Sequence, residues 1–148
     1  MKTELCEAQG YQLIHIFEYQ WNIKKNIIKE RLKHLFGIYD DKIFARNCEV
    51  KEIYLKESEN FLNNYHIQGS SKSSIKLGLF FNNELIAVMT FGKPRFNKNY
   101  EWELIRYATS KHVCGGAGKL LKYFERKYKP FSIISYADRC WSKGNLYR

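Results

Sequence analysis

The chain has 148 residues, a formal net charge of +10, 45% hydrophobic and 16% aromatic residues. That is one domain, or one domain with an appendage, with enough apolar side chains to build a core, so general disorder is excluded. Cys6, Cys48, Cys114 and Cys140 form no C-x-x-C pair, which argues against a zinc ribbon and a disulfide framework and makes a reducing cytoplasm the default. The apolar runs are too short to span a bilayer and the start, MKTELCEAQ, lacks the shape of a signal peptide, so no membrane partner is expected. Charge is unevenly placed. Residues 1–91 carry 12 Lys/Arg against 11 Asp/Glu, and residues 92–148 carry 13 against 4. In the second part the cations alternate with aromatics, at Lys93, Arg95 and Phe96, at Arg106 and Tyr107, and from Lys122 to Tyr128. Such a field attracts polyanions, of which nucleic acid is the commonest inside cells. A solubilising surface is the alternative.

In chain order, residues 1–9 predict a helix fragment ending at Gly10, and residues 11–17 (YQLIHIF) an apolar strand in which His15 is a core residue. Asn22 can cap a helix with Ile23, Ile27, Ile28, Leu32, Leu35 and Phe36 on one face and Gly37 as its stop. The opposite face of that helix is basic, and solvation explains it better than a dedicated DNA stripe. Residues 43–54 predict an extended segment and residues 57–65 a short helix bearing Phe61 and Leu62. The run GSSKSS at 69–74 predicts a flexible loop, the softest point of the chain. Strands at 75–81 and 84–91 flank Asn82-Asn83, whose tolerance of left-handed backbone predicts a hairpin. Residues 92–99 form a basic loop.

Residues 100–148 organise the rest: strand, glycine turn, helix, strand, and the start of another helix. Residues 100–108 are aromatic and β-favouring. Gly115, Gly116 and Gly118 then supply backbone freedom or room for a ligand. Leu120, Leu121, Phe124 and Tyr128 recur at helical spacing until Pro130. Residues 131–137 predict a buried strand ending at Asp138. A glycine turn that follows a strand and opens a helix is an anion site, since free N–H groups and the positive end of the dipole coincide there. The turn has neither Walker nor dinucleotide spacing. It is read either as a structural corner or as a pyrophosphate cradle formed by Gly115, Gly116, Gly118 and Lys119.

The order of elements from 43 to 148 resembles the GCN5-related acyl-CoA N-acyltransferase fold, and IISYADRCWSKGNLYR resembles the phage DNA-modification protein Mom and its relatives. Together with FLNNYHIQG, MTFGKPRF, YEWELIRYA and VCGGAGKLLKYF, the stretch resembles the C-terminal region of phage Hef-like homing endonucleases. Lys2, Cys6, Gly10, LIHIFE and Trp21 resemble the last strand and helix of very-short-patch-repair-type endonuclease domains, whose metal-binding acids lie upstream of that strand. The resemblance therefore implies a remnant of such a domain at 1–37 and a Mom-like domain at 43–148. The fold it implies is α/β of the α+β type, with a mixed, mostly antiparallel sheet flanked by helices, incomplete at both ends. It also implies double-stranded DNA as partner, a chain without the full nuclease site, Mg²⁺ for a full-length nuclease, and acetyl-CoA at the glycine turn if transferase chemistry is present. The residues themselves name no cofactor.

Candidate catalytic residues are Asp138, Tyr136, Arg106 and His66. Asp138 closes the strand after the glycine-turn helix, where open α/β sheets place their ligands. The Mom-like resemblance turns Asp138 and Tyr136 to the acceptor side of a cleft and Arg106 to the acyl or phosphate side. His66, beside Gln68, could serve as a base or pack at a helix end. Lys93, Arg95, Arg126 and Lys127 are candidate DNA-phosphate contacts. Glu101 and Glu103 share a face by strand periodicity and are read as strand-exposed acids balancing cations rather than as metal ligands. Two functions follow: a DNA-acting protein of the homing-endonuclease type, and a coenzyme-A-dependent N-acyltransferase.

Overall fold

A computed structural model describes residues 2–39, 41–137 and Trp141. Asp138 and the helix start expected after it lie outside the described residues. The chain divides into two compact units, residues 1–25 with 136–148, and residues 26–135.

In the first unit, α1 (Lys2–Ala8) ends at Gly10, whose φ of +84° turns the chain. Residues 11–17 are not a strand. An extended segment becomes a strand only when a neighbour completes its ladder, and among the described residues none does so. Thr3 Oγ1 lies 2.9 Å from His15 Nε2, and Gln12 donates to the Trp141 carbonyl at 3.2 Å, with Trp141 buried. Helix α2 (Glu18–Leu35), whose residues from Asn26 on belong to the second unit, starts four residues before the expected cap and is kinked at Lys24. Gly37, at φ +70°, ends it as expected. Only Ile28 of its expected apolar face is buried, and Ile23 and Phe36 are exposed.

The second unit is mixed α+β. Its strands are β1 (Lys42–Phe44), β2 (Glu49–Glu52), β3 (Ile75–Phe81), β4 (Glu84–Gly92), β5 (Trp102–Thr109), β6 (His112–Cys114) and β7 (Ile133–Ser135). The helices are α3 (Leu55–Tyr65) and α4 (Gly116–Tyr128), with a 3-10 turn at Ala45–Asn47. A five-stranded sheet runs β2-β3-β4-β5-β7, antiparallel throughout except for the parallel pair β5–β7. A separate parallel pair joins β1 to β6. Each strand of that pair is three residues long, too short for a period-two pattern to announce it.

Asn82 and Asn83 both take positive φ at the β3–β4 turn, as the hairpin requires. Two bulges then change which residues face which way. Leu79 pairs with Ala87 but Phe80 with Leu85, so Ile86 is an extra residue in β4. Thr90 pairs with Arg106 but Phe91 with Leu104, so Ile105 is an extra residue in β5. A bulge shifts the alternation of faces by one. Leu85 and Val88, three apart, therefore both pack with Phe61 and Leu62 of α3. Ile86, Ala87, Met89 and Phe91 join Leu120 and Phe124 of α4 in the main core. Phe91 and Phe124 stack at 3.7 Å, and Trp102 meets Phe124 edge-on at 5.2 Å.

The serine loop is held rather than loose. Ser70 N–H donates to Asn63 Oδ1, Lys76 Nζ to the Ser73 carbonyl, Ser74 N–H to the Phe91 carbonyl, and Arg106 Nε to the Gly69 carbonyl. Residue type marked a loop there; side chains from α3, β3 and β5 decide that it is pinned. No described helix is long and apolar enough to cross a membrane.

Candidate functional site

The glycine turn is built from three glycines with three different reasons. Gly115 is the residue before α4 and takes φ +77°, a left-handed conformation that a side chain would strain. Gly116 is a packing glycine, because a Cβ there would lie 3.0 Å from Val113 Cγ1 and 3.1 Å from the Tyr107 hydroxyl. Gly118 has nothing within 4 Å of a Cβ position and opens on a cavity.

Tyr107, from β5, sits beneath the start of α4 and its phenol oxygen accepts from the Ala117 N–H. One donor of the first helical turn is thus satisfied from the sheet. Burial pushes the Tyr107 phenol up to about 12, against the opposing pull of that N–H.

The cavity has a volume of about 930 Å³ and lies between α4 and the segment 44–50. Among the described residues, its charged lining is Arg46, Lys119, Lys122, Arg126 and Lys127, and no carboxylate lines it. Phe44 and Tyr123 supply aromatic wall, and Gly115 and Gly118 also line it. Helical spacing explains the α4 contribution: residues 119, 122, 123, 126 and 127 recur on one face while Leu120 and Phe124 turn to the core. Arg46 and Phe44 arrive through the β1–β6 pairing, which lays 42–44 beside 112–114.

The five cations are not equivalent. Lys119 Nζ donates to the Ala45 carbonyl at 2.9 Å and also to the Cys48 carbonyl. It ties the 3-10 turn to α4. Lys127 pairs with Glu52 on β2 at 3.0 Å, and Tyr128 donates to the same carboxylate. The Tyr128 hydrogen bond, then that of Lys127, holds the Glu52 carboxyl below its ordinary range despite some burial. Arg46 lies over the Phe44 ring at 5.0 Å. Among the described residues no carboxylate pairs with Arg46, Lys122 or Arg126.

The sequence-predicted site residues thus regroup. Gly115, Gly118, Lys119, Arg126 and Lys127 share one cavity, although sequence had divided them between a cofactor cradle and a DNA surface. Lys93 is exposed in the loop after β4, away from that lining. Arg95, read as a phosphate contact, has its Nε and Nη2 on Glu103 Oε1 at 2.9 and 2.6 Å, and its N–H on Oε2 at 2.8 Å.

Glu103 is therefore not a strand-exposed acid: it has no exposed surface. Burial alone would raise its carboxyl, but the Arg95 hydrogen bonds and the charges of Arg95 and Arg106 outweigh this and hold it below the usual range. Glu101 accepts from the Phe131 N–H at 2.6 Å. The two carboxylates are committed to separate partners and do not converge, and among the described residues no group of three His, Cys, Asp or Glu could hold a metal.

Arg106 donates from Nε to the Gly69 carbonyl at 3.1 Å and from Nη1 to the Ile105 carbonyl at 3.0 Å. Burial, then repulsion from Arg95, pulls its guanidinium down from the ordinary value, against the pull of Glu103. His66 closes α3, its Nδ1 accepting from Gln68 N–H at 3.1 Å and its carbonyl from Gly69 N–H. Arg106 and His66 are thereby joined through one tight turn at Gly69. Tyr136 is exposed beyond the end of β7.

Arg46 and Phe44 were missed by sequence reasoning because only tertiary pairing places them. Lys122 and Tyr123 had a usable signal in their spacing with 119, 126 and 127. In comparison with known proteins, no family model matches this chain and no curated protein matches it significantly.

Proposed function

We propose that this chain is a DNA-acting protein of the phage homing-endonuclease type, its C-terminal recognition portion, whose cavity receives nucleic-acid phosphates. The observation that carries this reading is that, among the described residues, the lining holds five cations and no acid, and three of those cations have no ion-pair partner. Phosphate contacts made by lysine and arginine release counterions, so affinity falls steeply with salt. The test is titration of labelled DNA with the purified chain at about 50 and 200 mM salt. The expected result is a fall of one to several decades in affinity, with Lys122→Met and Arg126→Met each weakening binding across sequences and flattening the salt slope by about one unit. Salt-insensitive binding, or binding unchanged in both variants, overturns the reading.

A second reading, a coenzyme-A-dependent N-acyltransferase of Mom-like type, is favoured by one arrangement. Parallel strands β5 and β7 are joined through the glycine turn and α4, and pair only from Trp102–Ile133 to Leu104–Ser135, so β5 runs on without that neighbour. Gly118 leaves the room a diphosphate needs, whereas Lys119 and the Ala117 N–H already have internal partners. Acetyl-CoA would supply the acyl group. Binding of coenzyme A that is lost in Gly118→Val, a substitution the fold has room for, would place this reading first.

A further inference from the structure

We infer that the cavity takes single-stranded DNA, an unpaired or extruded nucleotide stacked on its aromatic wall, rather than the backbone of an intact duplex. The inference rests on the proposal that the cavity receives nucleic acid, and it names the form. The volume of about 930 Å³ falls within the range of clefts that enclose a small molecule. A duplex presents phosphates on a convex cylinder and offers only base edges in its grooves, because its base faces are already stacked on one another. A ring set in the wall of a concave site can meet a base face only when that base has left the stack.

Phe44 is such a ring. It ends β1, keeps 42% of its surface exposed although it is apolar, and lines the cavity. The Arg46 guanidinium lies over it at 5.0 Å, and across the cavity Lys127 lies 5.8 Å from the Tyr123 ring centre. Aromatic rings flanked by cations form the combination that holds single strands, with rings taking bases and cations tracking the backbone. Lys122 and Arg126, one helical turn apart on α4, are placed to follow successive phosphates.

The test compares a fluorescently labelled oligonucleotide as single strand and as blunt duplex of the same sequence, by anisotropy. Wild type is expected to prefer the single strand by at least about tenfold. Phe44→Ala is expected to lower single-strand affinity by about tenfold while changing duplex affinity less than about twofold. Arg126→Met lowers both. Because Phe44 is 42% exposed, Phe44→Trp retains the fold, and its emission in excess of that of the three native tryptophans is quenched by the single strand and not by the duplex. Equal or tighter duplex binding, equal losses for both forms in Phe44→Ala, or an unquenched Phe44→Trp overturns the stacking proposal while leaving a nucleic-acid reading intact. Absence of any DNA binding by wild type removes both.

Discussion

Glu103 shows how a single residue can invert its apparent role. A carboxylate with no exposed surface is tolerated because Arg95, itself partly exposed, meets it with three donors, and removing the carboxylate charge weakens those charge-assisted hydrogen bonds. Glu103→Gln is expected to lower stability by about 1–2 kcal/mol at pH 7, the partial exposure of Arg95 screening part of the loss. The folded-state carboxyl is held below its ordinary value, so its stabilisation is complete above about pH 4.3 and drains away as pH falls through the folded value. Urea midpoints at pH 7 and pH 3 should show the gap between wild type and Glu103→Gln narrowing in acid; a constant gap would exclude the carboxylate as its source. Lys119 has a similar lesson. Charge and position suggested a ligand contact, yet its ammonium is bonded to two carbonyls. Lys119→Met should cost about 1–3 kcal/mol in chemical denaturation, whereas Lys122→Met should remain within about 0.5 kcal/mol of wild type. Neither distinction was readable in sequence, because lysines share one chemistry and only the neighbouring carbonyls separate them.

At the scale of elements, period and punctuation were legible and phase was not. The Asn82-Asn83 hairpin, the α4 stripe and its end near Pro130 follow from local rules of backbone and side-chain spacing. The bulges at Ile86 and Ile105 do not, since an extra residue leaves no mark on composition. Past Ile105, Tyr107 turns to the α4 side with Trp102 and Leu104, which is what allows it to meet the Ala117 N–H. Tyr107→Phe should cost about 1 kcal/mol at neutral pH. A phenol raised to about 12 contributes stability that is whole below about pH 10 and is lost as pH rises toward 12. Wild type should therefore lose stability between pH 10 and 12 faster than Tyr107→Phe, as followed by circular dichroism; parallel losses would count against burial of the phenol. Gly118, with open space at its Cβ position, lies in the first turn of α4. Gly118→Ala should stabilise by about 0.5–1 kcal/mol, and a fall in melting temperature would mean that the position is not open.

For the whole molecule, a net charge of +10 opposes compaction by self-repulsion, which salt screens over about 10 Å at 0.1 M. Raising NaCl from about 0.02 to 0.3 M should raise the melting temperature by a few degrees; a fall would show that ion pairs such as Arg95–Glu103 dominate the balance instead. Composition and the order of residues along the chain determined that it builds a core, that its second part carries the positive field, and that strands and helices alternate around a glycine turn. Those properties are sums over residues or depend on neighbours close in the chain. Only the tertiary structure decided that β1 pairs with β6, that Phe44 and Arg46 face α4 across one cavity, and which cations retain no carboxylate partner among the described residues. These depend on contacts between segments some 70 residues apart, as when Lys119 reaches Ala45, and no local pattern encodes which distant carbonyl or ring a side chain will meet.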